Sequence, residues 1–277
     1  MAAQDRARDL DLEAEYNNRA RVPDHPVHIA GWQRDSATYR ESATCELDLP
    51  YGPGERNRLD LFHPQSGDAG GPVVLFIHGG YWQSLDRSTS SHLARGANER
   101  GLTVAIPSYT LAPAAKLADI VSEIEAAANF VIGRLGRPLV VSGHSAGGHL
   151  TVCLMARPDA LRMPVRAAMP ISGLFDLPPL VPTSINKALG LTVEEAHTLS
   201  PMEWAPPRGG HLIAVVGGAE SSEFLRQSRT IVERWGQAGV ATRYHEVPGA
   251  HHFDVIAGLA RPDDPLVDML VELSADA

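Results

Sequence analysis

The sequence has little cysteine, a deficit of basic residues and no long apolar run. Its 277 residues include 2 cysteines, Cys45 and Cys153, a usage typical of a reduced protein and unlike a disulfide framework. Its 24 basic residues against 33 acidic ones give a net charge of −9. This balance argues against nucleic acid or an anionic membrane as a partner, because both require clustered cations. Apolar runs such as residues 73–77 are far shorter than the roughly 20 residues of a membrane helix.

The start of the chain, residues 1–10, also lacks the apolar stretch of a secretory signal, which predicts a cytoplasmic protein. What is present is ordinary globular composition, with 44% hydrophobic and 21% charged residues. Residues 1–43 are polar and predict an N-terminal extension with helices near 12–21 and 31–41. Whether this extension is a lid over a site or a packed arm stays open at this stage.

From residue 44 onward the pattern predicts one α/β domain, residues 44–277. Two short extended segments, 45–49 and 58–62, predict a hairpin around a Gly-Pro-Gly turn. Apolar strands then alternate with helical stretches, which predicts a mostly parallel sheet covered by helices on both faces. The predicted strands are 73–78, 103–107, 139–143, 167–172, 212–217 and 242–247, and the predicted helices are 115–135, 147–156, 223–238 and 265–273. A proline-rich stretch, 174–208, predicts an irregular insertion over the sheet edge.

The most informative segment is residues 143–147, which read G-H-S-A-G between a predicted strand and a predicted helix. A G-x-S-x-G pattern in that setting places a serine on a sharp turn at the carboxyl edge of the sheet, where only small neighbours fit. Ser145 is therefore the predicted nucleophile. The alternative is a glycine-rich turn whose serine merely caps the helix.

A second glycine-rich loop, residues 78–82 (H-G-G-Y-W), follows the predicted strand 73–78. Hydrolases of this architecture take an oxyanion donor from such a loop, with another from the residue after the nucleophile. The predicted donors are the N–H groups of Gly80 or Tyr81 together with Ala146. His78 is predicted to brace the loop rather than to act as the base.

Aromatic residues beside this loop are candidates for substrate contact. Tyr81, Trp82 and Tyr109 are predicted to wall an aromatic acyl or leaving group, with packing against the N-terminal extension as the alternative.

A general base and an acid must follow the serine in the chain order Ser, Asp/Glu, His. His251 and His252, after the last strand, both fit the base, and spacing alone hardly separates them. Glu220 follows the strand 212–217 and is the first candidate for the acid. Asp176, after the preceding strand, is the runner-up, whereas Glu223 is predicted to complement a helix dipole.

Four segments together resemble the α/β-hydrolase superfamily, and within it the kynurenine formamidases (arylformamidases) and related carboxylesterases. They are HGGYWQ at 78–83, GHSAGGHL at 143–150, SSEFLRQSR at 221–229 and HHFD at 251–254. The resemblance implies Ser145 as nucleophile, His252 as base and Glu220 as acid, although the family usually has Asp at that last position. Residues 15–26 are similar to the start of bacterial members. Residues 107–113 look like a segment of esterases resembling hormone-sensitive lipase.

These observations predict a cofactor-independent serine hydrolase, a carboxylesterase that cleaves small esters, with or without an aromatic group, through an acyl-enzyme. An arylformamidase acting on N-formylkynurenine is the alternative, and a non-catalytic ligand-binding protein on the same scaffold is a distant one. No metal is predicted, since neither a His-Glu-x-x-His helix nor a Cys-x-x-Cys ligand set occurs. The predicted partner is a small-molecule ester or amide, with no nucleic acid and no membrane, and a homodimer is left open.

Overall fold

Eight strands form a single sheet in the computed structural model, which describes residues 10–67 and 70–277. The strands are β1 (Thr44–Pro50), β2 (Arg58–His63), β3 (Val73–Ile77), β4 (Val104–Pro107), β5 (Leu139–His144), β6 (Ala167–Ile171), β7 (His211–Gly217) and β8 (Ala241–Val247). Their order in the sheet is β1-β2-β4-β3-β5-β6-β7-β8. β1 and β2 pair as the predicted antiparallel hairpin, and β2 also runs antiparallel to β4. The remaining neighbours in the sheet, from β4 and β3 through to β8, are parallel.

The sheet is covered on both faces, and its alternating side chains enter two separate apolar cores. On β3, Val73, Leu75 and Ile77 contribute to one core, while Val74 and Phe76 contribute to the other. This arrangement confirms the predicted fold class, an α/β sheet with helices on both faces. It also explains why a strand such as β3 is apolar at every position. The helices are α1 (Leu12–Tyr16), α2 (Asn18–Arg21), α3 (His25–Ser42), α4 (Ala94–Glu99), α5 (Leu117–Leu135), α6 (Ala146–Ala156), α7 (Asn186–Leu189), α8 (Val193–Thr198), α9 (Ser222–Gln237) and α10 (Pro265–Ala275).

The described part of the N-terminal extension, residues 10–43, is called the N-terminal arm below. Its predicted first helix is divided into α1 and α2 at Asn17, whose side chain caps α2 by accepting a hydrogen bond from the Ala20 N–H. Its second helix, α3, begins at His25, six residues earlier than predicted. A proline at the second position of α3 does not interrupt it, because the first-turn N–H groups of a helix have no partner within the helix.

Two further regions differ from the predicted element list. The short helix α4 was not predicted, and the insertion at 174–208 contains α7 and α8 between irregular segments. Across residues 10–67 and 70–277, no helix combines the length and the apolar character that crossing a membrane requires.

Candidate active site

Ser145 lies at the sharp turn between β5 and α6. Its backbone has φ 57° and ψ −117°, a conformation that a residue with a side chain rarely adopts. The turn is held by the Ser145 N–H, which donates to the Ile171 carbonyl at 2.8 Å. A side chain at Gly147 would overlap the Ile77 carbonyl, so only glycine permits this approach of α6 to β3. The Ser145 side chain makes no capping hydrogen bond to α6, contrary to the helix-cap alternative.

His252 and Glu220 form a buried hydrogen-bonded pair next to this turn. His252 Nδ1 is 2.6 Å from Glu220 Oε2, and both side chains are shielded from solvent. A carboxylate only accepts hydrogen bonds, so Nδ1 donates and the other ring nitrogen, Nε2, is left for chemistry. The second oxygen of Glu220 accepts from the Gly217 N–H at 2.9 Å and from the Ser172 hydroxyl. Three donors thus hold this carboxylate in place.

The competing acids are engaged elsewhere. Asp176 forms an ion pair with Arg226 at 2.8 Å. Glu223 lies in the first turn of α9, as predicted, where it also pairs with Arg226 and accepts a hydrogen bond from the Tyr16 hydroxyl at 2.6 Å. These contacts leave Glu220 as the carboxylate that reaches His252.

The competing histidine has different partners from His252. His251 Nδ1 accepts hydrogen bonds from two loop N–H groups, those of Phe253 and Asp254, at 3.1 and 3.3 Å. Its ring meets His28 of α3 edge to face, with 4.8 Å between the ring centroids. His251 therefore joins the loop after β8 to the N-terminal arm, and no contact brings it to Ser145 or Glu220.

The predicted oxyanion loop, residues 78–82 and called the oxyanion loop below, bends sharply after β3. Gly80, Tyr81 and Trp82 have φ values of 101°, 52° and 58°, so three successive residues adopt backbone conformations with positive φ. A side chain at Gly80 would overlap the Ser84 carbonyl. Gly80 and Tyr81 line the same cavity as Ser145. Ala146 is the first residue of α6, where N–H groups have no partner within the helix.

Two aromatic residues that were predicted to wall a substrate do not face the cavity. Trp82 is fully buried and packs edge-on against His149, with 5.1 Å between the ring centroids. Tyr109 is fully buried too, stacks on His78 at 4.3 Å and donates its hydroxyl to the His78 carbonyl. Both support the oxyanion loop from behind, so the substrate-contact prediction is corrected for this pair.

His78 and His144 are buried imidazoles near the reactive centre. The His78 Nδ1–H donates to the Gly79 carbonyl at 2.8 Å, and burial lowers the pKa of His78 to about 4. His144 lies with its ring 4.6 Å from that of His252, and burial with this neighbour lowers the pKa of His144 well below its ordinary value. Both imidazoles therefore stay neutral at pH 7, and neither adds a charge that competes with His252.

The cavity above Ser145 has a volume of about 350 Å³. Besides Ser145, His252, Gly80 and Tyr81, its lining includes residues to which the sequence analysis gave no role in a site. They come from the N-terminal arm, the loop after Tyr81, the end of β5, the insertion and the loop after β8. These residues are Tyr16, Asn17, Asn18, Arg19, Ile29, Trp32, Gln83, Ser84, Leu85, His144, Ser184, Ile185 and Phe253. For the arm, the sequence signals were the predicted helices and the similarity of residues 15–26 to the start of bacterial hydrolases.

The arm is attached directly to the oxyanion loop. The Tyr81 hydroxyl donates to the Tyr16 carbonyl at 2.6 Å, and Asn18 Nδ2 lies 3.4 Å from the same hydroxyl. The Tyr16 hydroxyl in turn donates to Glu223, and burial raises the pKa of Tyr16 well above its ordinary value. Glu15 accepts hydrogen bonds from the Glu223 N–H at 2.9 Å and from a neighbouring serine hydroxyl, so it caps α9 from the arm.

Comparison with known proteins places this site in a family. Residues 74–255 match the family model described as the alpha/beta hydrolase fold. This chain belongs to the alpha/beta hydrolase family. The match contains β3 to β8 and the candidate residues Ser145, Glu220 and His252.

Two relatives of this α/β hydrolase match nearly along its whole length. It is 28% identical to the kynurenine formamidase of Salmo salar over 257 residues, which covers 89% of this chain and 87% of that protein. The kynurenine formamidase of Danio rerio is 27% identical, with 89% and 88% covered. A solved structure from Silicibacter sp. TM1040, provisionally described as a thioesterase, is 35% identical with a TM-score of 0.85 and covers 95% of this chain and 99% of that chain. The chain is thus a hydrolase that is similar to these proteins over most of its length.

Proposed function

We propose that this hydrolase uses Ser145 as a nucleophile to cleave small carboxylic esters through an acyl-enzyme. One observation carries the proposal: Ser145 on its strained turn and His252, which is hydrogen-bonded to the buried Glu220, line one cavity of about 350 Å³. A nucleophile, a base and a group that orients the base are the minimum set for this chemistry. The competing acid Asp176 pairs with Arg226, and the competing histidine His251 accepts hydrogen bonds from its own loop.

The proposed reaction begins when His252 Nε2 accepts the Ser145 hydroxyl proton while the serine oxygen attacks the ester carbonyl. The N–H groups of Ala146 and of Gly80 or Tyr81 stabilise the resulting oxyanion. The C–O bond to the alcohol then breaks, and the leaving oxygen takes the proton from His252. His252 next takes a proton from a water molecule, whose oxygen attacks the acyl-enzyme carbonyl. The bond to Ser145 then breaks, the serine oxygen takes the proton from His252, and the acid is released.

Glu220 acts on His252 rather than on the substrate in this proposal. Its carboxylate fixes the ring orientation and stabilises the positive charge that His252 carries after it accepts the proton. Glutamate is longer than the aspartate usual in the family. The three donors to Glu220, from His252, Gly217 and Ser172, hold the longer side chain in one orientation.

The substrate class follows from the cavity walls. Tyr16, Trp32, Tyr81 and Phe253 provide aromatic surface around the serine, and aromatic side chains give large apolar contact areas. A cavity near the small end of ordinary ligand sites fits a compact ester with one aromatic group rather than a long acyl chain.

A second candidate function is hydrolysis of an aryl formamide such as N-formylkynurenine. The match to two kynurenine formamidases over 89% of the chain supports this candidate. The same groups would form a formyl-enzyme and release an aromatic amine after protonation by His252.

The deciding experiment measures kcat/KM for p-nitrophenyl acetate and N-formylkynurenine side by side, with Ser145→Ala as the blank. Faster turnover of the ester supports the carboxylesterase, and faster turnover of formylkynurenine by orders of magnitude supports the formamidase. If Ser145→Ala is as active as the wild type on both substrates, the serine mechanism is wrong.

A further inference from the structure

Arg19 of the N-terminal arm lies at the edge of the cavity over the oxyanion loop. Its guanidinium Nη2 is 3.4 Å from the Ser84 hydroxyl, which itself donates to the Gly80 carbonyl. Arg19 is exposed and lines the cavity that contains Ser145 and His252. An arginine at this position is within reach of a ligand that enters the cavity from solvent.

The fixed charges lining the cavity have one sign. Among the described residues that form its wall, Arg19 is the sole arginine or lysine, and no aspartate or glutamate contributes. The Glu220 carboxylate is hydrogen-bonded to His252 and does not line the cavity. The site therefore presents a cation in a protein whose net charge is −9.

The arm's own acids do not neutralise Arg19. Glu13 accepts hydrogen bonds from the Ser184 N–H and hydroxyl at 2.7 and 2.6 Å, and Glu15 accepts those of the α9 terminus. Within residues 10–67 and 70–277, no ion pair includes Arg19, whereas Arg226 pairs with two carboxylates and Arg87 with two others. The guanidinium thus keeps donors for an incoming acceptor.

We propose that Arg19 is a specificity residue that binds a carboxylate on the substrate, so that the preferred substrates of this hydrolase are anionic esters or amides. The proposal rests on the proposed serine hydrolase function and adds the charge of the substrate to it. A planar guanidinium matches the two oxygens of a carboxylate and stays protonated at any working pH.

The test compares two esters of equal shape, 3-carboxyphenyl acetate and its neutral amide counterpart, 3-carbamoylphenyl acetate. The ratio of their kcat/KM values is measured for the wild type and Arg19→Gln. Comparing this ratio between the two proteins cancels the difference in intrinsic reactivity between the esters, because each ester has the same intrinsic reactivity in both assays. We expect Arg19→Gln to lower the preference for the anion by about fivefold, the size of a partly exposed charge interaction.

Three controls accompany this comparison. Arg208→Gln removes the same charge from an exposed loop before β7, at the opposite edge of the sheet, and should leave the ratio unchanged. Arg19→Lys keeps the charge and should retain most of the preference. Raising the salt concentration to about 1 M should lower the wild-type ratio, because mobile ions screen exposed charges.

The outcomes separate this inference from the function on which it rests. If both esters are hydrolysed by the wild type and not by Ser145→Ala, but the ratio is the same in Arg19→Gln, the inference is wrong and the proposed function stands. An equal fall in Arg208→Gln also overturns it. If neither ester is hydrolysed faster than by Ser145→Ala, the proposed function itself fails.

Discussion

The carboxyl edge of the sheet and the N-terminal arm build one cavity by different means. At the sheet edge, Ser145, Glu220 and His252 lie in the turns that follow β5, β7 and β8, so the parallel sheet brings them together. The arm reaches the cavity through contacts with residues far along the chain, such as Tyr16 with Glu223. Reactive groups are thus fixed by local turns on a rigid scaffold, whereas much of the wall that selects a substrate depends on long-range docking.

The arm docks through polar contacts as well as through buried aromatic rings such as Tyr16 and Tyr39. On α3, Ser36 bonds to His92, Tyr39 donates to Asn98 at 2.6 Å and Arg40 pairs with Asp60 at 2.9 Å. Hydrogen bonds of this kind contribute about 1 kcal/mol each, and less when solvent competes. Changes in the arm should therefore alter substrate selection and local order, while changes at the sheet edge should abolish the reaction.

The largest effect is expected for Ser145→Ala. Loss of the nucleophile should lower kcat by about 10³-fold or more, since the cavity and the oxyanion donors remain but the acyl-enzyme cannot form. The measurement is kcat for p-nitrophenyl acetate, together with labelling by a fluorophosphonate probe. Ser122→Ala, a change on the exposed face of α5, serves as the matched control and should keep full activity and labelling. Labelling of Ser145→Ala at the wild-type rate would point to another nucleophile.

The next effect compares two carboxylates at the ends of neighbouring strands. Glu220→Gln should lower kcat by at least about 10²-fold, because an amide neither fixes the neutral tautomer of His252 nor stabilises its cation. Asp176→Asn removes a charge that pairs with Arg226 and should cost less than about tenfold. Both variants are assayed at equal concentrations of folded protein, as judged by circular dichroism. The reverse order of activities would assign the acid to Asp176.

The sequence predicted the sheet edge well because turn chemistry is local. A serine between small residues after an apolar strand requires one backbone geometry, and the observed φ of 57° at Ser145 agrees with it. Residue reasoning ranked Glu220 above Asp176 but kept Asp176 as an alternative, because both follow strands. Their distinction depends on which strand end lies beside the loop of His252, and β7, whose end carries Glu220, pairs with β8.

The wall of the cavity could not be predicted in the same way. Trp82 and Tyr109 were expected to face a substrate, but an aromatic residue in a loop does not reveal the direction of its side chain. Its direction is set by packing against His78 and His149 from other elements. The sequence also could not show how the arm packs on the domain. The buried side chains of α3 are Tyr39 and a small polar residue, Ser36, so no apolar stripe marks the inner face of this helix.

A moderate effect is expected where the two regions meet, at the Tyr81 hydroxyl. Tyr81→Phe removes the hydrogen bond to the Tyr16 carbonyl and leaves that buried acceptor without its partner, which typically costs about 1–3 kcal/mol. Because Tyr81 is also a proposed oxyanion donor, part of the loss should appear as a fall in kcat of about tenfold. Tyr244→Phe removes a hydroxyl on β8 that donates to Glu246 and is the control. A loss of stability with unchanged kcat would show that the arm does not position the loop.

The smallest effect is expected in the pH dependence of the free energy of unfolding, which distinguishes the docking of the arm from the sheet region. Burial lowers the pKa of His92 to about 4, and its Nδ1 lies 2.8 Å from the Ser36 hydroxyl of α3. The buried ring resists protonation in the folded protein, whereas the unfolded chain takes up the proton near pH 6.5. The contribution of His92 to the free energy of unfolding is therefore complete above about pH 6.5 and declines as the pH falls towards 4. His92→Gln should make urea unfolding less dependent on pH in this window, whereas His197→Gln, an exposed control, should not. An unchanged dependence in His92→Gln would mean that the acid sensitivity of the protein arises from buried histidines of the sheet region, such as His78 and His149, rather than from the docking of the arm.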